Sequence, residues 1–250
     1  MRRFYLPLLP EAAATFIADT ELSRHMKVLR LKVGDQLYLF DQSGKQATAT
    51  IEQSLHDRYV LRILEIKCGP MAVEHELVLV QCLPKGSKLD TNVRMATEIG
   101  VSKIILAISE RTVSRPDSGR AGAKLKRLER IAEEAARQSA RRSVPELVGP
   151  LPLLDIADEL PEEGRRLVFW ECCELGLDTL WPASQTVQKA SVVIGPEGGL
   201  GEMEIEGLEA MGFSQVGLGP TILRVETAVP VILALVAERM GMLKRTGVAQ

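Results

Sequence analysis

Two periodicities divide the chain. Over residues 33–40 apolar and polar positions alternate, the signature of a half-buried strand. Residues 41–44, Asp-Gln-Ser-Gly, form a turn signal, and residues 47–51 and 59–66 give two more strands. Three antiparallel strands so close together predict a small barrel, with a helix-like stretch over residues 10–16 ahead of them. After Cys68-Gly69-Pro70 the pattern changes. Residues 76–81 are continuously apolar, as in a parallel strand covered on both faces. From there strands and helices alternate. Ser87 caps a helix ending at Ile99, and Gly100 stops it. Strands are predicted over 103–108, 166–170, 190–194 and 215–218, and helices over 124–139, 202–211 and 227–240. Residues 145–165, with Pro145, Pro150, Pro152 and Pro161, read as a connecting segment. The expected fold class is α/β: an N-terminal β domain over residues 1–72 and a mostly parallel β/α layer domain over residues 73–250.

Composition narrows the class. Hydrophobic residues make up 46% and charged residues 26%, which suits a globular chain and leaves no disordered tract. No apolar run is long enough to span a membrane, and residues 1–10 lack the core of a signal peptide. Four cysteines without C-x-x-C spacing and three histidines give no zinc pattern, so no metal is indicated. The cysteines read as reduced and structural, in a cytoplasmic protein. The net charge of −2 hides a local excess: residues 111–142 hold ten Lys/Arg against four Asp/Glu. On a helix, Lys126, Arg130, Arg137 and Arg141 fall within about 60° of one another, opposite Leu125, Leu128, Ala132, Ala135 and Ala136. Such a stripe is either a solvated face or a phosphate-contacting one.

Two glycine-rich segments follow strands. The first is Val192-Val193-Ile194-Gly195-Pro196-Glu197-Gly198-Gly199-Leu200-Gly201. Glycines let backbone approach a ligand, and such loops at strand C-terminal ends are where α/β proteins bind ligands. No G-K-[ST] follows, dinucleotide spacing fails, and Glu197 favours a cationic or neutral ligand over an anion. A plain tight turn is the other reading. The second segment, Gly217-Leu218-Gly219-Pro220-Thr221-Ile222-Leu223-Arg224-Val225-Glu226-Thr227-Ala228, also leads into a helix. Alone, Arg224 and Glu226 read as a helix cap with a surface ion pair.

Together these segments resemble the RsmE family of ribosomal RNA small-subunit uridine-N3 methyltransferases, in the SPOUT (trefoil-knot) superfamily. The resemblance rests on Arg2-Arg3-Phe4-Tyr5, residues 25–30 with Val33-Gly34-Asp35, Thr97-Glu98-Ile99-Gly100-Val101, Ser109-Glu110-Arg111-Thr112-Val113, residues 138–145, 194–199 and 218–228. Residues 150–190 match loosely. The resemblance implies a PUA-like RNA-binding barrel over 1–72, a trefoil-knot domain over 73–250, and a homodimer. It implies S-adenosylmethionine as cofactor, held by Leu83, Ile194, Gly195, Glu197, Gly199, Leu200, Leu218, Gly219, Ile222, Leu223 and Arg224. The substrate would be small-subunit rRNA in an assembled or partly assembled particle. Arg2, Arg3, Arg24, Lys27, Arg30, Arg111, Lys126, Arg130 and Arg141 are the candidate RNA contacts. Uridine N3 must lose a weakly acidic proton. Arg224 is therefore the candidate cation at the uracil oxygens, and Glu226 is its orienting partner, a base, or a structural residue. The chain departs from the family pattern at Arg137, Ala140 and Thr221, which leaves the cofactor loops intact and bears on RNA contacts of the helix. The alternative is a SPOUT-type ribose 2′-O-methyltransferase acting on tRNA or rRNA.

Overall fold

The computed structural model describes residues 2–41, 45–68, 75–113, 118–139, 141, 143–185 and 187–243. The chain forms two compact units. One comprises residues 1–72 with 136–144, the other residues 73–135 with 145–250. The first unit thus takes a piece of chain from beyond residue 72, because residues 136–144 have their contacts there.

The first unit is a five-stranded sheet in the order β1-β3-β4-β5-β2. Its strands are β1 (Arg2–Tyr5), β2 (Thr15–Ile17), β3 (Gln36–Phe40), β4 (Lys45–Ser54) and β5 (Tyr59–Cys68). β3, β4 and β5 are the antiparallel trio expected from the alternation, whereas β1 joins β3 in parallel. In β4 buried and half-buried positions alternate, so Ala47, Ala49 and Ile51 face a core with Phe4, Leu37, Leu39, Leu61 and Ile63. The helix expected at residues 10–16 is not there. Residues 15–17 are strand, and helix α1 is Thr20–Val28. Asp19 caps α1 by accepting from the Leu22 amide at 2.8 Å, and Leu22 and Met26 bury one face. The N-cap signal Asp19 precedes an apolar spacing that the barrel reading passes over. Of the turn expected at 41–44, all but Asp41 lies outside the described residues, as does Ala140.

The second unit is a six-stranded, wholly parallel sheet in the order β11-β9-β10-β6-β7-β8. Its strands are β6 (Glu76–Cys82), β7 (Lys103–Ile108), β8 (Glu146–Pro152), β9 (Arg165–Phe169), β10 (Lys189–Ile194) and β11 (Ser214–Val216). Helices α2 (Lys88–Ile99), α3 (Ser118–Gln138), α4 (Leu177–Leu180) and α5 (Glu202–Ala210) connect them, and α6 (Val225–Arg239) follows the last strand. β6 is buried on both faces from Leu77 to Cys82, which is why its sequence is continuously apolar. The proline-rich segment read as a connection contains an edge strand, β8, followed by two 3₁₀ turns at Leu153–Asp155 and Ala157–Glu159. Proline is tolerated there because an edge strand leaves one row of amides unpaired. α2 ends at Gly100 as expected, although the Ser87 hydroxyl makes no capping bond. Among the described residues no helix is long and apolar enough to cross a membrane.

Candidate functional site

Parallel strands carry their loops at one edge. Pairing of Phe169 with both Ile194 and Val216 ends β10, β9 and β11 at one level. Three loops therefore leave the sheet side by side, with the β9 loop in the middle, and a cavity of about 550 Å³ opens among them. The first Gly-rich loop supplies Ile194, Gly195, Pro196, Gly199 and Leu200. The second supplies Leu218, Gly219, Pro220, Thr221, Ile222 and Leu223. The loop after β9 supplies Trp170, Glu171, Cys173 and Glu174.

Of the expected cofactor residues, the structure brings Ile194, Gly195, Gly199, Leu200, Leu218, Gly219, Ile222 and Leu223 to this wall. It leaves Leu83, Glu197 and Arg224 off it. Leu83 is buried beside β7, its amide donating to the Ala107 carbonyl at 2.9 Å. Sequence reasoning missed the β9 loop, since residues 150–190 carry no recognisable motif. The available signal was the predicted strand at 166–170, because a parallel strand's C-terminal loop belongs to the ligand edge.

Gly199 has φ +70°, and a Cβ there would stand 2.1 Å from Glu171 Oε1. The left-handed backbone disfavours a side chain there, and any Cβ would also push the Glu171 carboxylate aside. The loop is clasped from behind. The Gly201 amide donates to Glu204 Oε2 at 2.9 Å, and the Glu110 amide to Glu204 Oε1 at 2.8 Å. Arg111, expected at RNA, donates to the Gly198 carbonyl at 2.8 Å and so also braces the loop.

Glu197 and Glu226 meet through a lysine. Lys88 Nζ lies 3.0 Å from Glu197 Oε1 and 3.2 Å from Glu226 Oε2, and the Lys85 amide donates to the Glu197 carboxylate at 3.2 Å. Burial pushes Glu197 up, but its own amide, Lys88 and Lys85 outweigh that and hold it below the usual carboxylate range. Glu226 is held low by its own backbone amide and by Lys88, and Lys88 is raised by both carboxylates. A carboxylate stabilised in its charged form is a weaker base, which favours the orienting role for Glu226. Arg224 is the exposed N-cap of α6, its carbonyl accepting from the Ala228 amide at 2.7 Å. It is thus presented at the end of the loop whose Leu223 lines the cavity.

The basic stripe needs one correction. α3 ends at Gln138, so Arg141 is not on the helix. Its amide turns back to the Ala136 carbonyl at 3.0 Å, and burial lowers its guanidinium pKa to about 10. Lys126 and Arg130 are exposed and Arg137 is half-buried, while Leu128, Ala132, Ala135 and Ala136 are buried. In the first unit Arg2, Arg24, Lys27 and Arg30 are exposed. Lys27 pairs with Asp57 at 3.2 Å. Arg3 donates to the Arg141 carbonyl at 2.9 Å and lies over the Phe40 ring, 5.2 Å from its centroid.

Comparison with known proteins agrees with this architecture. Residues 72–237 match a family described as an RNA methyltransferase domain, and residues 17–64 match an RNA methyltransferase PUA domain. The chain is 31% identical to ribosomal RNA small subunit methyltransferase E of Mycobacterium bovis, over 93% of this chain and 90% of that one. It is 29% identical to the protein of that name from Bacillus subtilis, over 98% and 99%. The crystal structure of the Neisseria gonorrhoeae enzyme bound to S-adenosylmethionine superposes with a TM-score of 0.85 at 30% identity, covering 95% of this chain and 97% of that one. A Legionella pneumophila methyltransferase solved with the same cofactor gives 0.85 at 27% identity, over 94% and 96%.

Proposed function

The chain belongs to the RsmE family of ribosomal RNA small-subunit methyltransferases, and from that premise we propose that it methylates N3 of one uridine of 16S rRNA with S-adenosylmethionine. The observation that carries the reading is the cavity at the ends of β9, β10 and β11. Its volume lies in the usual range for small-molecule sites, about 300–1,000 Å³. Its walls are mostly apolar, its glycines admit close backbone approach, and its charged lining residues are carboxylates. That donor set suits a flat, apolar base joined to a cationic tail.

Bound there, the cofactor supplies an electrophilic methyl group on a positively charged sulfur. The chain's own residues do the rest. Gly195, Gly199, Leu218 and Gly219 shape the cradle, while Leu200, Ile222 and Leu223 exclude water from it. Arg224, the α6 N-cap just after the cavity-lining Leu223, is the guanidinium that stabilises the negative charge spreading onto the uracil oxygens as N3 loses its proton. Glu226, ionised by Lys88 and close enough to Arg224 to feel its charge, orients that guanidinium. Positioning of base against methyl donor supplies much of the rate. The target base leaves its stack to reach the site.

The remaining parts follow the same reading. The two Gly-rich loops are the knot loops of a SPOUT domain, and the PUA unit with Arg2, Arg24, Lys27 and Arg30 holds rRNA in an assembled or partly assembled particle. The enzyme is a cytoplasmic homodimer with each site near the subunit interface. Apolar Val231 and Leu235, exposed one turn apart on the outer face of helix α6, support that interface. Nucleoside mass spectrometry of 16S rRNA from cells with and without the gene tests the assignment. Loss of 3-methyluridine is expected. Loss of a ribose-methylated nucleoside, or no change, overturns it.

A further inference from the structure

The cavity carries a charge pattern that binding alone does not require. Its charged lining residues are Glu171 and Glu174, and among the described residues no Lys, Arg or His lines it. Neither carboxylate enters an ion pair or hydrogen bond among the described residues. Three nearby carboxylates have partners: Lys88 pairs with Glu197 and Glu226, and Glu204 accepts from two backbone amides. Glu171, exposed at the cavity wall, therefore presents a negative charge that no described residue answers.

Its place is central. β9 lies between β10 and β11, so its loop is the partition between the two Gly-rich loops. On one side Glu171 lies against Gly199, with both oxygens within 3.3 Å of where a Cβ would be. On the other side the Cys173 carbonyl abuts Gly217 at 1.9 Å from where its Cβ would be. In S-adenosylmethionine the sulfur is the central atom, joining the adenosyl and aminocarboxypropyl arms. A ligand of that shape spanning both Gly-rich loops would cross this partition near its middle.

We propose, resting on the cofactor reading above, that Glu171 is a specificity-determining residue that distinguishes the methyl donor from its spent product by charge. The donor carries a sulfonium cation. The product, S-adenosylhomocysteine, carries a neutral thioether and otherwise keeps the same ribose, ammonium and carboxylate. Glu171 holds the donor and loses its partner once the methyl group has left, so the product is bound less tightly and escapes.

The test is equilibrium binding by calorimetry of S-adenosylmethionine and S-adenosylhomocysteine to the full chain and to Glu171→Gln, which keeps the shape and removes the charge. Circular dichroism checks that the variant is folded. In the variant the donor's Kd should rise at least about fivefold, roughly 1 kcal/mol, while the product's Kd stays within twofold. Sinefungin, which carries an amine in place of the sulfonium, should follow the donor. An equal rise for donor and product overturns the proposal, assigning Glu171 to the ribose or ammonium. Unchanged Kd values for all three make Glu171 a surface residue and overturn it too. Both outcomes leave the cofactor reading standing. Failure of the wild-type chain to bind any of the three overturns both.

Discussion

Gly217 offers the sharpest test of the site's construction. A Cβ built there would stand 1.9 Å from the Cys173 carbonyl oxygen and 3.0 Å from its carbon, whereas real Cβ atoms essentially never approach closer than 3.0 Å. The obstacle is backbone, so no rotamer change relieves it. In Gly217→Ala the β9 loop must retreat by about 1 Å or more, which is ordinary overpacking strain. The Gly217 amide also donates to the Leu175 carbonyl at 2.8 Å, and that bond is broken or stretched. Strain and the missing bond together should cost about 2–4 kcal/mol of stability. The same movement shifts Glu171, Cys173 and Glu174, which form one wall of the cavity. Affinity for S-adenosylmethionine should therefore fall at least tenfold, roughly 1.4 kcal/mol. Urea unfolding and titration calorimetry read the two quantities separately. Ile104→Val is the control: Ile104 is fully buried in β7 away from the cavity, so it should cost about 0.5–1.5 kcal/mol and leave affinity unchanged. Wild-type affinity in a folded Gly217→Ala protein would refute the claim that the β9 loop forms the wall.

Lys88→Met should move acid-induced loss of stability to higher pH. Glu197 and Glu226 lie below their ordinary 4.5, so their ion pairing is complete above that value and lost as pH falls through the lowered values. Lys88 lies above its ordinary 10.5, so its share persists below that value and is lost only in strong alkali. Urea unfolding across the acid range checks this, and superimposable wild-type and variant profiles would contradict it. Replacing Lys126 and Arg130 by Ala should weaken rRNA binding and flatten its salt dependence, by about 0.7–0.9 in log–log slope for each phosphate no longer neutralised. Identical slopes across a salt series would make the stripe a solvated face. Sedimentation should find a dimer at micromolar concentration, and Val231→Glu with Leu235→Glu on α6 should produce monomers with far-ultraviolet circular dichroism retained. A monomeric wild type would remove the interface assignment.

Much of this protein is legible in its sequence because the signals are local. Alternation in β4, continuous apolarity in β6, and Gly-rich turns after β10 and β11 each depend on a few neighbouring residues. These short-range patterns set the α/β class and place both cradle loops. What they cannot carry is pairing order. That β9 lies between β10 and β11 follows from which strand edges meet across long stretches of chain. Only that order brings Glu171 and Glu174, which stand in no motif, to the cavity. The edge strand β8 was obscured because its prolines mark a break locally, and only its position beside β7 makes them acceptable. Arg141 shows the same limit: helical spacing puts it on a stripe, but the chain turns back to Ala136 and half-buries it. Glu226 gains its partner in the same way, since Lys88 is far off in sequence and meets it through the packing of α2 against α6. Local propensity chose the elements. Burial of their apolar faces chose the neighbours, and those neighbours determine how the site residues are charged.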